Sequence, residues 1–131
     1  MKILFVCKHN RFRSKIAEAW FKKYNKNKEN KVKSAGIYEN HDPLDKYEVL
    51  AAKGLGIKLS GKSIQISDGS IDWADTIIIT ADDVSKKRFE NLDKKLIVWK
   101  IKDATSNEIN HIKDIIKIIE DKIKELLKEL K

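Results

Sequence analysis

Three short runs of almost wholly apolar residues constrain the fold of this chain more than any other feature. They lie at residues 2–6, 76–80 and 96–101 and read KILFV, TIIIT and LIVWKI. Such runs are typical of strands that are buried on both faces of a parallel sheet, because a strand with one solvated face alternates apolar and polar residues instead. A weaker, partly polar run at residues 31–34 predicts an edge strand.

Helical patterns separate these strands. Apolar residues spaced three and four apart predict helices at residues 14–24, 44–53 and 83–92. The clearest helix comes last, where residues 105–108 (TSNE) have the form of a capping box and residues 109–130 carry one apolar stripe. Strands that alternate with helices in this way predict a parallel sheet with helices on both faces.

Length and apolar content limit the class of protein. At 131 residues the chain has the size of one ordinary domain. No run approaches the 18 or so apolar residues of a membrane span, and the first six residues lack the length and cleavage site of a secretory signal. We therefore expect a soluble, cytoplasmic protein with no membrane partner.

Net charge, cysteine content and histidine spacing limit the ligands and partners that the chain could bind. A net charge of +8 suits an anionic partner, but no element carries a cluster of basic and aromatic residues, so we predict no nucleic-acid binding. A single cysteine cannot form an internal disulfide, and the three histidines lack zinc-type ligand spacing. We predict no metal and no cofactor.

The loop after the first strand holds that cysteine. Cys7 follows the strand directly and Ser14 begins the first helix. A short loop between a buried strand and a helix start turns several backbone amides toward one point, and the helix dipole adds positive potential there. This predicts an anion pocket with Cys7 at its floor, held as the nucleophilic thiolate. Arg13 can grip two anion oxygens with its planar fork, whereas Arg11 points either to substrate or to solvent.

These residues resemble the low-molecular-weight protein tyrosine phosphatases. That family carries Cys-x-x-Asn-x-x-Arg-Ser between its first strand and first helix, and this chain has CKHNRFRS at residues 7–14, followed by Ala-Glu-Ala at residues 17–19. Weaker similarities continue along the chain at residues 34–36 (SAG), Pro43, residues 56–57 (GI) with Ser60, and residues 75–82 (DTIIITAD).

The resemblance implies a role for each loop residue. Cys7 would be the nucleophile that takes the phosphoryl group, and Arg13 would bind its equatorial oxygens. Ser14 would donate its hydroxyl to the thiolate, and Asn10 would hold the loop in a strained, left-handed conformation. The rest of the implied phosphate-binding loop consists of Lys8, His9, Arg11 and Phe12.

The family's general acid is an aspartate in Asp-Pro-aromatic, on the loop after the fourth strand. Asp103 fits this place, although Ala104 and Thr105 stand where the family has proline and an aromatic residue. One carboxyl can protonate the leaving group and later deprotonate water. Asp82 and Asp83 are the competing carboxylates, and by the resemblance Asp82 is structural.

Three more positions bear on the site. Phe12 replaces a second cysteine that family members often carry, so a protective disulfide is ruled out, and His9 replaces a common glycine. Tyr38 falls near the place where the family has an aromatic residue against the substrate ring. It either forms such a substrate wall or packs on the surface.

Together these observations predict one three-layer α/β domain over residues 1–131, with a four-stranded parallel sheet in the flavodoxin-like order 2-1-3-4. The predicted function is hydrolysis of a phosphomonoester, either a phosphotyrosine protein or a small aryl phosphate, through a cysteinyl-phosphate. Two alternatives stay open: an arsenate reductase of the same fold, which here would need an external thiol, and a non-catalytic phosphate-binding module. The sequence makes no prediction of the oligomeric state.

Overall fold

The computed structural model describes residues 1–130. Its centre is a four-stranded parallel sheet in the order β2-β1-β3-β4. The strands are β1 (Lys2–Cys7), β2 (Lys31–Gly36), β3 (Thr76–Ile79) and β4 (Lys95–Val98). The predicted strand order and the parallel sheet are confirmed, and β2 is an edge strand as expected. The strand predicted over residues 96–101, with both faces buried, is wrong in part: β4 ends at Val98 and is the other edge strand, so its residues are exposed or half-buried.

Four helices flank the sheet: α1 (Arg13–Tyr24), α2 (Lys46–Gly54), α3 (Asp68–Trp73) and α4 (Ile109–Glu129). Helices α1, α2 and α4 share one core with the side chains of Ile3 and Phe5 on β1. Leu4 and Val6 point to the opposite face, where α3 and the turns after β3 cover them. Because β1 is buried on both faces, its run of apolar residues has no polar alternation.

The helix predicted at residues 83–92 is wrong. This segment forms turns, in which the Phe89 amide donates to the carbonyl of Lys86 at 2.9 Å. The turns bury the ring of Phe89 against the sheet, with 1% of the residue exposed. Conversely, the short helix α3 was not predicted, although Ser67 caps it by accepting a hydrogen bond from the amide of Ser70.

The capping box predicted at residues 105–108 is also wrong. Helix α4 begins at Ile109, so its N-cap residue is Glu108 rather than Thr105, and no side chain caps it. The Thr105 amide donates to Nε2 of His111 at 3.1 Å. The apolar stripe of α4 is confirmed, with Ile112, Ile115, Ile116, Ile119, Ile123 and Leu126 buried. Among residues 1–130 no helix is both long and apolar enough to cross a membrane. The cytoplasmic location stays a prediction.

Candidate active site

The loop that joins β1 to α1 lies at the carboxyl end of the sheet. Residues 1–130 supply no hydrogen-bond acceptor to the backbone amides of residues 9–14. Buried amides are almost always paired in native proteins, and a row of free ones at a helix start is a typical anion-binding site. The loop therefore has the donors that a phosphate-sized anion needs.

Asn10 fixes the shape of this loop. It has φ 52°, and among residues 1–130 no other residue except glycine has positive φ. Its Oδ1 accepts a hydrogen bond from the Ile64 amide at 2.9 Å, which orients the side-chain amide. Its Nδ2 donates to the hydroxyls of Ser14 at 2.8 Å and Ser34 at 3.0 Å, and the Ser34 hydroxyl donates in turn to the carboxylate of Glu18.

This network leaves the Ser14 proton free to point to the sulfur of Cys7. The Ser14 hydroxyl oxygen lies 3.0 Å from the sulfur. Because Nδ2 of Asn10 can only donate, the Ser14 oxygen accepts from it and keeps its own proton for another partner. Donation of that proton to the sulfur is the arrangement that the predicted role of Ser14 requires.

Arg13 is held by the two segments that follow β3 and β4. The residue is 2% exposed; its Nη1 donates to the Ile101 carbonyl at 2.9 Å and its Nη2 to Asp83 Oδ1 at 2.9 Å. Carboxylate oxygens of Asp82 and Asp103 lie farther away, at 3.6 Å from Nη1 and 3.7 Å from Nη2. Asp83 is thus the closest ionic partner of Arg13, a role that the sequence did not reveal.

A cavity of about 410 Å³ brings the predicted catalytic residues together. Cys7, Arg13 and Asp103 all line it, whereas Asp82 and Asp83 do not. Only 2% of Cys7 is exposed. The cavity is lined by Cys7, His9, Arg11, Phe12, Arg13, Asp45, Glu48, Asp103, Ala104, Thr105, Ser106, Asn107 and Ile112.

The other predicted residues divide into two groups. His9, Arg11 and Phe12 line the cavity, and Nε of Arg11 donates to the Pro43 carbonyl at 2.9 Å. Lys8, Asn10 and Ser14 belong to the loop but not to the cavity wall. Tyr38 does not line this cavity either: it is 56% exposed, with its ring 6.0 Å from that of His9, and its role as a substrate wall stays a prediction.

Sequence reasoning missed Glu48, an acidic residue on the cavity wall. Glu48 lies in the first turn of α2 and is 9% exposed. Burial, with the nearby charges of Asp103 and Asp45, raises its pKa to about 7, although Arg11 and Arg13 act in the opposite direction. A signal existed, because Glu48 shares the buried face of α2 with residues 51–52, three and four positions later.

Within residues 1–130 no three histidine, cysteine, aspartate or glutamate side chains are grouped so that they could hold a metal ion.

The fold and the cavity define a class of small α/β enzymes with a cysteine-containing anion loop at the carboxyl end of the central strand. Residues 2–131 match the family described as low molecular weight phosphotyrosine protein phosphatase, and the chain belongs to this family. The resemblance seen in the sequence is therefore confirmed over essentially the whole chain.

Proteins similar to this chain are named for different reactions. The chain is similar to an arsenate reductase of Bacillus subtilis, with 40% identity over 86 residues that cover 65% of this chain and 60% of that protein. It is also similar to an arginine phosphatase from Geobacillus stearothermophilus (25% identity, TM-score 0.85, 98% of this chain and 92% of that chain). An arsenate reductase from Archaeoglobus fulgidus is a third relative (26% identity, TM-score 0.79, 95% and 98% covered).

Proposed function

We propose that this chain hydrolyses phosphomonoesters in two steps, through a phosphoryl group carried on the sulfur of Cys7. The supporting observation is the meeting of this sulfur, the Ser14 hydroxyl and the Arg13 guanidinium beside a loop whose amides have no acceptor among residues 1–130. Such a loop favours both a bound phosphate and a thiolate.

In the first step the Cys7 thiolate attacks phosphorus. The sulfur–phosphorus bond forms while the bond to the leaving oxygen breaks, and Asp103 gives its proton to that oxygen. The loop amides and Arg13 stabilise the negative charge on the equatorial oxygens. Arg13 is ready for this role because Ile101 and Asp83 already hold its guanidinium in place.

In the second step water releases the phosphate. Asp103 takes a proton from the water molecule, the water oxygen bonds to phosphorus, and the sulfur–phosphorus bond breaks. The hydrogen bond from Ser14 stabilises the departing thiolate. Inorganic phosphate leaves, and Asp103 is again protonated for the next cycle.

The substrate class is part of the proposal. A phosphotyrosine protein or a small aryl phosphate agrees with the description of the family. Phosphoarginine is a second compound to test, because a relative of 25% identity is an arginine phosphatase.

Hydrolysis of p-nitrophenyl phosphate tests the reaction. We expect turnover by the native chain, none by Cys7→Ser, and a kcat about 10² to 10⁴ lower for Asp103→Asn. Asp121→Asn, on the exposed face of α4, is the matched control and should behave as the native chain does. An unchanged rate in Asp103→Asn would move the acid to another residue. Phosphate binding without turnover would identify a binding module.

Arsenate reduction is the second candidate function, favoured by the 40% identity with the Bacillus subtilis arsenate reductase over 86 residues. Reducing arsenate to arsenite takes two electrons, and the chain has one cysteine, so an external thiol must supply the rest. Arsenite formed in the presence of glutathione or a thioredoxin system would support this function. Arsenate that is not consumed would exclude it.

A further inference from the structure

Glu48 is a nearly buried acid without a partner in the described part of the chain. It is 9% exposed and lines the same cavity as Cys7 and Asp103. No side chain or amide of residues 1–130 donates a hydrogen bond to its carboxyl group or forms an ion pair with it. No buried side-chain oxygen of residues 1–130 lacks a hydrogen-bond partner, so the Glu48 carboxyl oxygens are open to the cavity, where they can meet a ligand that brings a donor or a positive charge.

The charged groups around Glu48 are already engaged with other partners. Asp45 caps α2 by accepting hydrogen bonds from the amides of Tyr47 and Glu48 at 2.9 and 3.0 Å. Nε of Arg11 donates to the Pro43 carbonyl.

Arg13 is bonded to Ile101 and Asp83. The charged groups that act on Glu48 are therefore two acids, Asp103 and Asp45, and two arginines that are held elsewhere.

The cavity is lined by charged groups of both signs. The loop amides and Arg13 form a positive floor, which the phosphoryl group would occupy beside Cys7. Asp45, Glu48 and Asp103 form an acidic wall of the same cavity, which Arg11 also lines, and Asp103 Oδ2 lies 3.7 Å from Nη2 of Arg13. A negative group on the substrate would be repelled by this wall, a neutral ring would gain no electrostatic attraction, and a positive group would be attracted.

We propose that Glu48 is a specificity-determining residue, which makes this enzyme prefer substrates whose leaving group carries a positive charge. This inference rests on the proposed phosphatase function, since it takes the floor of the cavity as the phosphate site. The preferred substrates then have a cationic leaving group instead of an uncharged aryl group.

A pair of nearly isosteric substrates tests the preference. One is 4-(trimethylammoniomethyl)phenyl phosphate and the other is its uncharged counterpart, 4-neopentylphenyl phosphate. The measured quantity is the ratio of their kcat/KM values, cationic over neutral. We expect Glu48→Gln to lower this ratio about tenfold or more, since the glutamine keeps the size but loses the charge.

The pH dependence gives a second readout. Only the carboxylate form of Glu48 attracts a cation, and its pKa is about 7. In the native chain the ratio should therefore rise as the pH increases from 6 to 8, whereas in Glu48→Gln it should stay flat. Glu125→Gln, which removes an exposed acid from α4, is the matched control and should leave both the ratio and its pH dependence unchanged.

Binding separates failure of this inference from failure of the proposed function. In a Cys7→Ser background the dissociation constants of both compounds can be measured by calorimetry, with and without Glu48→Gln, whether or not the enzyme turns them over. The role of Glu48 would be overturned if Glu48→Gln changed neither the ratio of the two dissociation constants nor the ratio of the two kcat/KM values. Charge-selective binding without any turnover by the native chain would instead overturn the phosphatase function and retain the selective site.

Discussion

Asn10 connects the backbone of the anion loop to the sulfur of Cys7. Its left-handed backbone, at φ 52°, turns the loop, and its side-chain amide orients the hydroxyl of Ser14. For most residues the left-handed conformation costs about 1–2 kcal/mol, a cost that asparagine reduces with local hydrogen bonds. A single residue therefore determines both the loop shape and the direction of the Ser14 proton.

Two substitutions separate these contributions. Asn10→Gly keeps the left-handed backbone but loses the hydrogen bonds to Ser14, Ser34 and Ile64. Asn10→Ala loses the same bonds and adds backbone strain. We expect the alanine variant to be about 1 kcal/mol less stable than the glycine variant in urea denaturation.

Both Asn10 variants should have a lower kcat, because the Ser14 proton is no longer aimed at the sulfur. At negative φ an alanine variant is usually more stable than a glycine variant. If Asn10→Ala were more stable than Asn10→Gly, residue 10 would not need a left-handed backbone in solution.

Single residues were predictable from the sequence where their partners are close in the chain. Cys7, Asn10 and Ser14 form one local motif, and the structure brings them into contact. Asp83 was weighed only as a competing acid, because its bond to Arg13 joins residues 70 positions apart. Glu48 was missed because its role follows from burial beside a loop that comes from another part of the chain.

At the scale of elements, the end of β2 sets the position of the anion loop. Gly36 pairs with Cys7 in the sheet and packs against the loop backbone. A Cβ atom at this position would lie 2.5 Å from the carbonyl carbon of His9 and 2.6 Å from the amide nitrogen of Asn10. Strand and loop can approach this closely only because residue 36 is a glycine.

Gly36→Ala should therefore displace the loop. We expect a fall in kcat/KM on the order of 10²-fold, since displacements of about 1 Å at a catalytic site cost that much. The protein should still fold, as judged by circular dichroism. Gly69→Ala is the matched control: in α3 the nearest atom to the added carbon is 3.8 Å away, so its activity should equal that of the native chain. Native activity in Gly36→Ala would mean that this contact does not position the loop.

The elements with strong local patterns were predicted correctly, and those that depend on distant contacts were not. β1, β3 and α4 follow from uninterrupted apolar runs or stripes, whereas the edge strand β4 is shorter than its run. Residues 83–92 have helical spacing, but turns bring Phe89 into the second core instead. The capping box at residues 105–108 fails because α4 begins only at Ile109, and His111 in its first turn accepts the amide proton of Thr105.

At the scale of the whole molecule, Glu48 makes the free energy of unfolding depend on pH. Its pKa is raised from 4.5 to about 7 by burial, so the folded chain retains a proton that the unfolded chain loses above pH 4.5. Folding then becomes less favourable as the pH rises from about 4.5 to above 7, and the penalty is constant at higher pH.

Glu48→Gln should remove this penalty. Because the carboxyl group is open to the cavity, solvent screening reduces the full effect of the pKa shift, and we expect a gain of about 1–2 kcal/mol at pH 8 and less than about 1 kcal/mol at pH 5. Urea denaturation at both pH values measures the difference, with Glu125→Gln as the control for a loss of charge on the surface. An equal effect at both pH values, or a loss of stability at pH 8, would show that Glu48 is not a buried acid in solution.

The proposed mechanism requires a phosphoryl group that is bonded to Cys7 during turnover. The direct measurement is mass spectrometry of Asp103→Asn, mixed with p-nitrophenyl phosphate and quenched within the first turnover by denaturation at alkaline pH, where a sulfur–phosphorus bond is stable. Slow hydrolysis in this variant should let the intermediate accumulate. We predict that the peptide containing Cys7 gains the mass of one phosphoryl group, and that Cys7→Ala gains none. Release of p-nitrophenol with no phosphoryl group on Cys7 at any time would contradict the proposed mechanism.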